Sequence, residues 1–454
     1  MSRTDQLTLV AFMQASNVSV YSGSWRYPSA AADYLDIRYY QRIARTLEDG
    51  GFDLLFFDDR LAMPSIYGDS PAEAIRYGAR PIKLDLTAVL GAVAASTQHI
   101  GLGATYSTTY YPPFHVARTF ATLDHLSRGR AAWNVVTSVN DTEAQNYGLD
   151  EHFPHDKRYD RAEEFIEVVS KLWDSWEDDA ILNDRQQGIF ADPDKVHELD
   201  HQGEYFTVRG PLTVPRTPQG RPVIIQAGQS GRGQQFAAKW ADLIFTADPS
   251  QEIAQEHYKQ QKQLIDDAGR DAATVRLLPM VYTIVGETEA IAKEKELIFL
   301  NELVHPMASL TLLSEVTNYD FAGHSLDDLV TDELIAQVSG IRGLVQGVRR
   351  HVGSAKLTLR TLANHRATLL QGPRFVGTGP QVAEQMGQWF QSHSCDGFVL
   401  AATHFPGAFE DFVRLVVPEL RARGLVRSEY TGDTLRENLG LERPRNLFTE
   451  TTDA

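Results

Sequence analysis

The chain has 454 residues, 43% of them hydrophobic, and its 43 basic and 60 acidic side chains leave a net charge of −17. Such a length holds two ordinary domains or one large α/β barrel with insertions, and the composition is that of a globular protein able to bury a large core. The charge argues against nucleic acid or an anionic membrane as a partner, and the single cysteine, Cys395, excludes an intrachain disulfide and a thiolate metal cluster. An anion site in so acidic a chain must be local, built from backbone N–H groups and hydroxyls rather than from a basic field. The first residues hold too short an apolar core for a secretory signal, and no window approaches the roughly 18 apolar residues of a membrane span. A cytoplasmic enzyme is therefore expected.

In chain order, Leu7–Met13 reads as a strand, Tyr40–Asp49 as a helix and Phe52–Asp59 as a second strand. Within Pro64–Lys83, the run Ser70-Pro71-Ala72-Glu73 is a capping box with proline at the first helical position, which predicts a short extra helix. Leu86–Thr97 is a helix, Ile100–Ser107 the third strand, Val116–Leu126 a helix and Ala131–Ser138 the fourth strand. Asp160–Trp176 is a helix with Ala162, Phe165, Ile166, Val169, Leu172, Trp173 and Trp176 repeating at helical spacing. Ser175–Pro218 is polar and predicts a long loop insertion with a small hairpin at Gly203–Val208.

Val223–Ala227 and Leu243–Ala247 are the fifth and sixth strands, and Leu277–Val285 the seventh. Residues 293–366 predict a mostly helical insertion. The helix Val382–Phe390 precedes the eighth strand, Gly397–Ala402, and Phe409–Arg423 follows it. The polar tail after Leu425 is expected to wrap a neighbouring subunit. Apolar strands alternating with helices mean a parallel α/β fold, and eight of them favour a (β/α)₈ TIM barrel spanning residues 1–454 with insertions over an open sheet.

The stretch Arg221–Phe245 is strand, glycine-serine turn, helix Gln234–Trp240, strand. Gly228, Ser230, Gly231 and Gly233 offer backbone N–H groups and a hydroxyl to an anion at the positive end of a helix dipole. The spacing G-x-x-G-x-G is not the dinucleotide fingerprint, although Asp248 could hold a ribose, so a mononucleotide phosphate remains open beside a plain packing turn. The other strand ends, Phe12-Met13-Gln14, Phe56-Phe57-Asp58-Asp59, Thr105-Tyr106-Ser107 and Trp133-Asn134, are aromatic and hydroxyl-rich. His152 and His155 lack a third metal ligand, so no metal site is expected, and no G-x-S-x-G elbow is present. This pattern suits a planar aromatic cofactor such as flavin mononucleotide: one phosphate for the glycine turn, a ribityl chain for hydroxyl and amide partners, a ring for the barrel mouth.

The run Tyr110-Tyr111-Pro112-Pro113-Phe114-His115-Val116-Ala117-Arg118, followed by Ala121-Thr122-Leu123-Asp124-His125-Leu126-Ser127, Gly129-Arg130 and Trp133 through Ser138, resembles the flavin-dependent monooxygenases of the bacterial luciferase-like superfamily. Tyr159 through Phe165, Gln226-Ala227-Gly228-x-Ser230 and Leu303-Val304-His305-Pro306 match the branch of nitrilotriacetate, EDTA and dibenzothiophene-sulfone monooxygenases. The resemblance runs from Leu9 to about Leu441. It implies a two-component enzyme: a separate NAD(P)H:flavin reductase supplies reduced FMN (FMNH2), which this chain uses with O2 on a small organic substrate bearing sulfur, nitrogen or halogen.

The same resemblance places FMN contacts at Asp59 (with Asp58 as the alternative), Thr105, Asn134, His155, Tyr159, Gly228 and Ser230. It places Phe12, Phe56, Phe245 and His305 around the substrate, with His305 and Asn134 as catalytic candidates, and it implies a homodimer or homotetramer. The chain departs from the branch at Val20 and across Pro64–Lys83, both on the substrate side. Two other functions remain open at this stage: a flavin- or deazaflavin-dependent oxidoreductase of the same barrel that transfers hydride without O2, and a non-catalytic flavin-binding protein.

Overall fold

A computed structural model of the chain describes residues 6–228, 231–338, 357–368 and 372–449. Its strands in chain order are β1 (Thr8–Gln14), β2 (Leu54–Asp58), β3 (Gly101–Ser107) and β4 (Ala131–Val136). Two small antiparallel hairpins follow, β5 (Ile181–Asp184) with β6 (Ile189–Ala191) and β7 (His201–Gln202) with β8 (Thr207–Val208). Then come β9 (Val223–Gln226), β10 (Leu243–Thr246), β11 (Arg276–Val285), β12 (Arg374–Gly377) and β13 (Gly397–Ala401). β1, β2, β3, β4, β9, β10, β11 and β13 pair in parallel in that order, and β13 returns to β1. The result is the closed eight-stranded (β/α)₈ barrel that the apolar runs predict. They read as continuous runs because helices cover the outer face while the inner face fills the barrel; all seven residues of β3 are buried. β12 was not expected: only four residues long, it extends β11 at Tyr282–Val285.

Strand periodicity divides the core in two. Outward residues such as Leu9, Leu55, Phe57, Leu102 and Trp133 pack against the helix ring. Inward residues such as Val10, Leu54, Phe56, Ile225 and Phe245 fill the barrel. Helix boundaries follow local chemistry rather than periodicity alone. The helix expected from Asp160 begins at His155 and stops at Trp173, and Asp174 after it takes ion pairs from Arg216 and Arg221. The helix after β13 breaks at Val416 into Gly407–Leu415 and Val417–Ala422, with Pro418 entering the second piece. The extra helix in Pro64–Lys83 forms over Ala72–Tyr77, but not with the expected capping box: Ser70 Oγ accepts from Ala72 N–H at 3.2 Å, and Glu73 turns to Arg76 at 2.6 Å.

Between β11 and β12 lie the helices Glu289–Asn301, Pro306–Thr317, Asp332–Gln337 and Leu359–Thr368. Leu310, Leu313, Phe321, Leu334, Leu357 and Leu362 give this region its own apolar cluster. Glu315, 4% exposed, ties it to the barrel mouth by accepting from the N–H groups of Ser65 and Ile66 and from Asn140 Nδ2, at 2.7, 2.9 and 2.9 Å. No single described helix is long and apolar enough to cross a membrane.

The tail packs on its own barrel, contrary to the expectation that it wraps a neighbour. Leu435, Leu439 and Leu441 join the inner apolar cluster beneath the strands. Arg436 pairs with Asp242 at 2.8 Å, and Arg427 with Asp53. Both aspartates precede barrel strands, so the tail plugs the end of the barrel opposite the strand C-termini. Leu435→Ala would leave a cavity there and is expected to cost about 2–5 kcal/mol. A urea unfolding midpoint unmoved by that change would show that the plug is not part of the core.

Candidate active site

The inward positions at the strand C-termini form one layer. Counting by twos from the inward Val10, Leu54, Gly103 and Ala132 reaches Gln14, Asp58, Thr105 and Asn134, and the register aligns Gln14 with Asp58 and Thr105 with Asn134. Their hydrogen bonds are directional. Gln14 Nε2 donates to Asp58 Oδ2 at 2.9 Å. Asn134 Nδ2 donates to Thr105 Oγ1 at 3.0 Å, and the Thr105 hydroxyl donates to the Phe57 carbonyl at 3.0 Å. Both amides are thereby oriented with their oxygens free, and Gln14 Oε1 and Asn134 Oδ1 are buried without a hydrogen-bond partner. An unsatisfied buried acceptor costs about 1–3 kcal/mol, so two in one layer mark a place where a donor-bearing ligand belongs.

Immediately below, Phe12, Phe56 and Phe245 form an edge-to-face row with centroid separations of 5.2 and 5.0 Å. The three aromatic positions expected around a substrate are thus one continuous apolar floor. Asp59 follows β2 beside this layer, with Arg60 N–H donating to its carboxylate at 2.8 Å. Burial pushes Asp59 up to about 7, against the pull of Lys83 and with a further push from Asp58.

On the neighbouring side, Tyr159 is 6% exposed and stands between two helices, packed edge-on to Phe236 at 5.8 Å. Its hydroxyl would lie 2.7 Å from a Cβ at Gly233 and 3.0 Å from one at Gly228, so both glycines are required by close approach. The Gly228 N–H donates to Gln226 Oε1, and the helix Gly231–Trp240 begins beside it. Ser230 lies outside the described residues. His155 comes to the same end, 5.1 Å from the Tyr159 ring, half exposed and bonded to Asp156 at 2.9 Å.

His305 sits elsewhere. Its Nδ1 accepts from Met307 N–H at 3.2 Å and caps the helix Pro306–Thr317, and its ring stacks on Tyr77 at 3.9 Å and 13°. Burial, then Arg26, hold its pKa below the ordinary histidine range, which leaves a neutral ring with Nε2 as the donor. Met307 lies on its own helix and Tyr77 on the segment after β2, neither in the strand-end layer.

Three residues of the site escaped the sequence argument. Gln14 was legible by counting two from Phe12 along the strand. Lys83 pairs with Asp58 at 3.5 Å across a long loop, which no local pattern shows. Arg158 precedes Tyr159, donates to the Ser138 carbonyl and keeps a buried Nε without a partner, a basic group at the start of the same helix.

An aromatic floor at the C-terminal mouth of a parallel barrel, with oriented amides above it and a glycine turn on the neighbouring side, is the architecture of a barrel oxidoreductase that holds a planar cofactor. Comparison with known proteins agrees. The family model for luciferase-like monooxygenases matches residues 17–394. The chain is 46% identical to dibenzothiophene-sulfone monooxygenase of Rhodococcus erythropolis, over 98% of this chain and 99% of that protein. It is 41% identical to nitrilotriacetate monooxygenase component A of Aminobacter aminovorans, with the same two coverages. Among solved structures, a riboflavin lyase containing modified FMN and riboflavin superposes with a TM-score of 0.86 at 33% identity, covering 97% of each chain. The chain belongs to the luciferase-like monooxygenases and is an oxidoreductase of that class.

Asp59 supplies a test of the site's electrostatics. Its folded pKa of about 7 lies above the unfolded value of roughly 3.9, so its contribution to stability is present below pH 4 and is lost as pH rises through 7. Between pH 5 and 8 the wild-type melting temperature is expected to fall relative to that of Asp59→Asn. Parallel profiles for the two proteins would contradict the raised pKa.

Proposed function

We propose that the chain is a reduced-FMN-dependent monooxygenase of a two-component system, acting with O2 on a small organic substrate that carries sulfur, nitrogen or halogen. The observation that carries this is the pair of buried, oriented, unpartnered oxygens, Gln14 Oε1 and Asn134 Oδ1, above the phenylalanine floor. They would accept from N–H groups of a bound flavin ring, and the apolar floor would pack beneath it. When bound in its reduced form, FMN supplies the electrons that let one atom of O2 enter the substrate while the other leaves as water.

The chain's own residues bind, orient and exclude water. Asn134, fixed by Thr105, and Gln14, fixed by Asp58, would hold the ring's polar edge. Tyr159, His155, the Gly228–Gly233 turn and Ser230 form the phosphate end, with Arg158 as the counter-charge. Phe12, Phe56 and Phe245 keep the space dry beneath the reacting groups. His305 caps the helix Pro306–Thr317 and stacks on Tyr77, so its part is to hold that helix on the segment after β2. The reductase is a separate protein, as "component A" in the name of the nitrilotriacetate relative suggests of that enzyme.

Two measurements separate this function from its rivals. The pure chain is expected to leave NADH unoxidised and, once a flavin reductase and FMN are added, to form an oxygenated product from a candidate substrate, beyond the oxygen that free reduced flavin consumes without the chain or without substrate. Hydride transfer without O2 would give a reduced product instead, and flavin binding without turnover would give no product. For the cofactor end, Gly233→Ala drives a methyl group against the Tyr159 hydroxyl. It is expected to weaken FMN about tenfold or more while affecting riboflavin little, since a bond to a charged group is worth roughly 1.5–3 kcal/mol. Equal losses for both ligands would move the phosphate elsewhere.

A further inference from the structure

Among the described residues, β5 and β6 pair only with each other. The hairpin they form puts Ile181, Leu182, Ile189 and Phe190 into solvent, 36, 52, 43 and 63% exposed, and every residue from Arg185 to Phe190 is open. Its build is nevertheless stiff. At the base, Glu177 N–H donates to the Lys195 carbonyl at 3.0 Å and Asp192 N–H to the Ala180 carbonyl at 2.8 Å. At the tip, Asp184 accepts from the N–H groups of Gln186 and Gln187 at 2.9 and 3.0 Å and fixes the turn. A lone two-stranded hairpin is marginal in water. One that carries four large apolar side chains on open faces is strongly stabilised by being covered.

Neither outer edge of the hairpin is protected against pairing: residues 181–191 hold no proline and no lysine. Their only charges, Asp184 and Arg185, cancel. In a chain of net charge −17, this is surface that a second copy approaches without repulsion. The same insertion supplies a receiving surface. Tyr110, Tyr111, Phe114, Tyr205, Phe206 and Pro211 wall a groove of about 690 Å³, and no acidic residue lines it. No residue of 181–191 lines it either, so the hairpin does not fill its own chain's groove. Pairing edge to edge with another strand would leave the side chains of both hairpin faces in water. Insertion into an apolar groove covers them.

We infer that β5–β6 is an arm that seats in this groove on a second copy of the chain, with Leu182 and Phe190 as its anchors. One chain carries both the projecting part and the recess, and that is what assigns the partner: an arm made for another kind of protein needs no matching groove on its own chain. A two-fold axis makes the exchange reciprocal. Each copy gives one arm and receives one, so association closes at a pair rather than running on as a filament. Large apolar and aromatic side chains entering a recess carry most of the energy of such a contact. The inference is independent of the reaction the barrel performs.

Sedimentation velocity on the full chain, run over a range of concentrations without flavin or substrate, tests this. The wild type is expected to be a dimer or an even multiple of one. Leu182→Ser combined with Phe190→Ser should weaken association about tenfold or more. Thr207→Trp, which puts a ring into the groove from an exposed position, should do the same. Mixing the arm variant with the groove variant should restore part of the association, because each mixed pair keeps one intact arm facing one intact groove. Ile253→Ser, which removes a side chain 51% exposed on the helix Gln251–Asp267, should change nothing. If circular dichroism shows that one of the two variants does not fold, the other decides against the Ile253→Ser control. A monomeric wild type, association that survives both variants, sensitivity to the arm with none to the groove, no gain on mixing, or equal weakening by Ile253→Ser overturns the inference.

Discussion

Barrel closure is the constraint on which the rest of this structure depends. Once β10 pairs with β11 and β13 with β1, every second residue of each strand points into a space too narrow for disorder. At mid-height that space is filled by Phe12, Phe56 and Phe245, and at the lower end by the leucines of the tail. At the strand C-termini the same inward row turns polar: Gln14, Asp58, Thr105, Asn134. One periodicity thus produces both the apolar floor and the oriented amides above it. Moving any one strand by a single residue would exchange Asn134 for Trp133 or Val135 and lose the layer.

The fold was legible because its signal is of the kind sequence carries well. All eight barrel strands are short apolar runs between helices, and each appears within a few residues of its expected place. What escaped has a physical reason in each case. β12 is four residues with one strongly apolar side chain buried, Phe375, too little to stand out. The tail reads as polar because Arg436 and Arg427 hide in ion pairs with Asp242 and Asp53, and only their partners, hundreds of residues away, reveal that these charges face inward. The capping box at Ser70 failed because Glu73 had a nearer cation in Arg76.

The site was legible in part. Asn134, Thr105 and the three phenylalanines stand in adjacent inward layers of the barrel, and Tyr159 meets Gly228 and Gly233, because strand ends and the glycine turn are local features. The mouth's cover was not legible. Its closure depends on Glu315 reaching Ser65, Ile66 and Asn140 across 250 and 175 residues of chain. His305, singled out by its motif, is placed by packing on Tyr77, whose position follows from a helix that the sequence located but could not aim.

The balance of charge at the mouth follows from these long-range contacts. A chain of net charge −17 keeps its acids away from this end or ties them down: Glu315 is saturated by backbone donors, and Asp58 is shared between an amide and a lysine. Asp59 holds its proton to about pH 7 because burial favours the neutral form. Asp58 faces Lys83 at 3.5 Å and Glu315 faces Arg60 at 3.9 Å, so at the mouth acids and bases stand side by side and the acidic excess of the whole chain is locally offset.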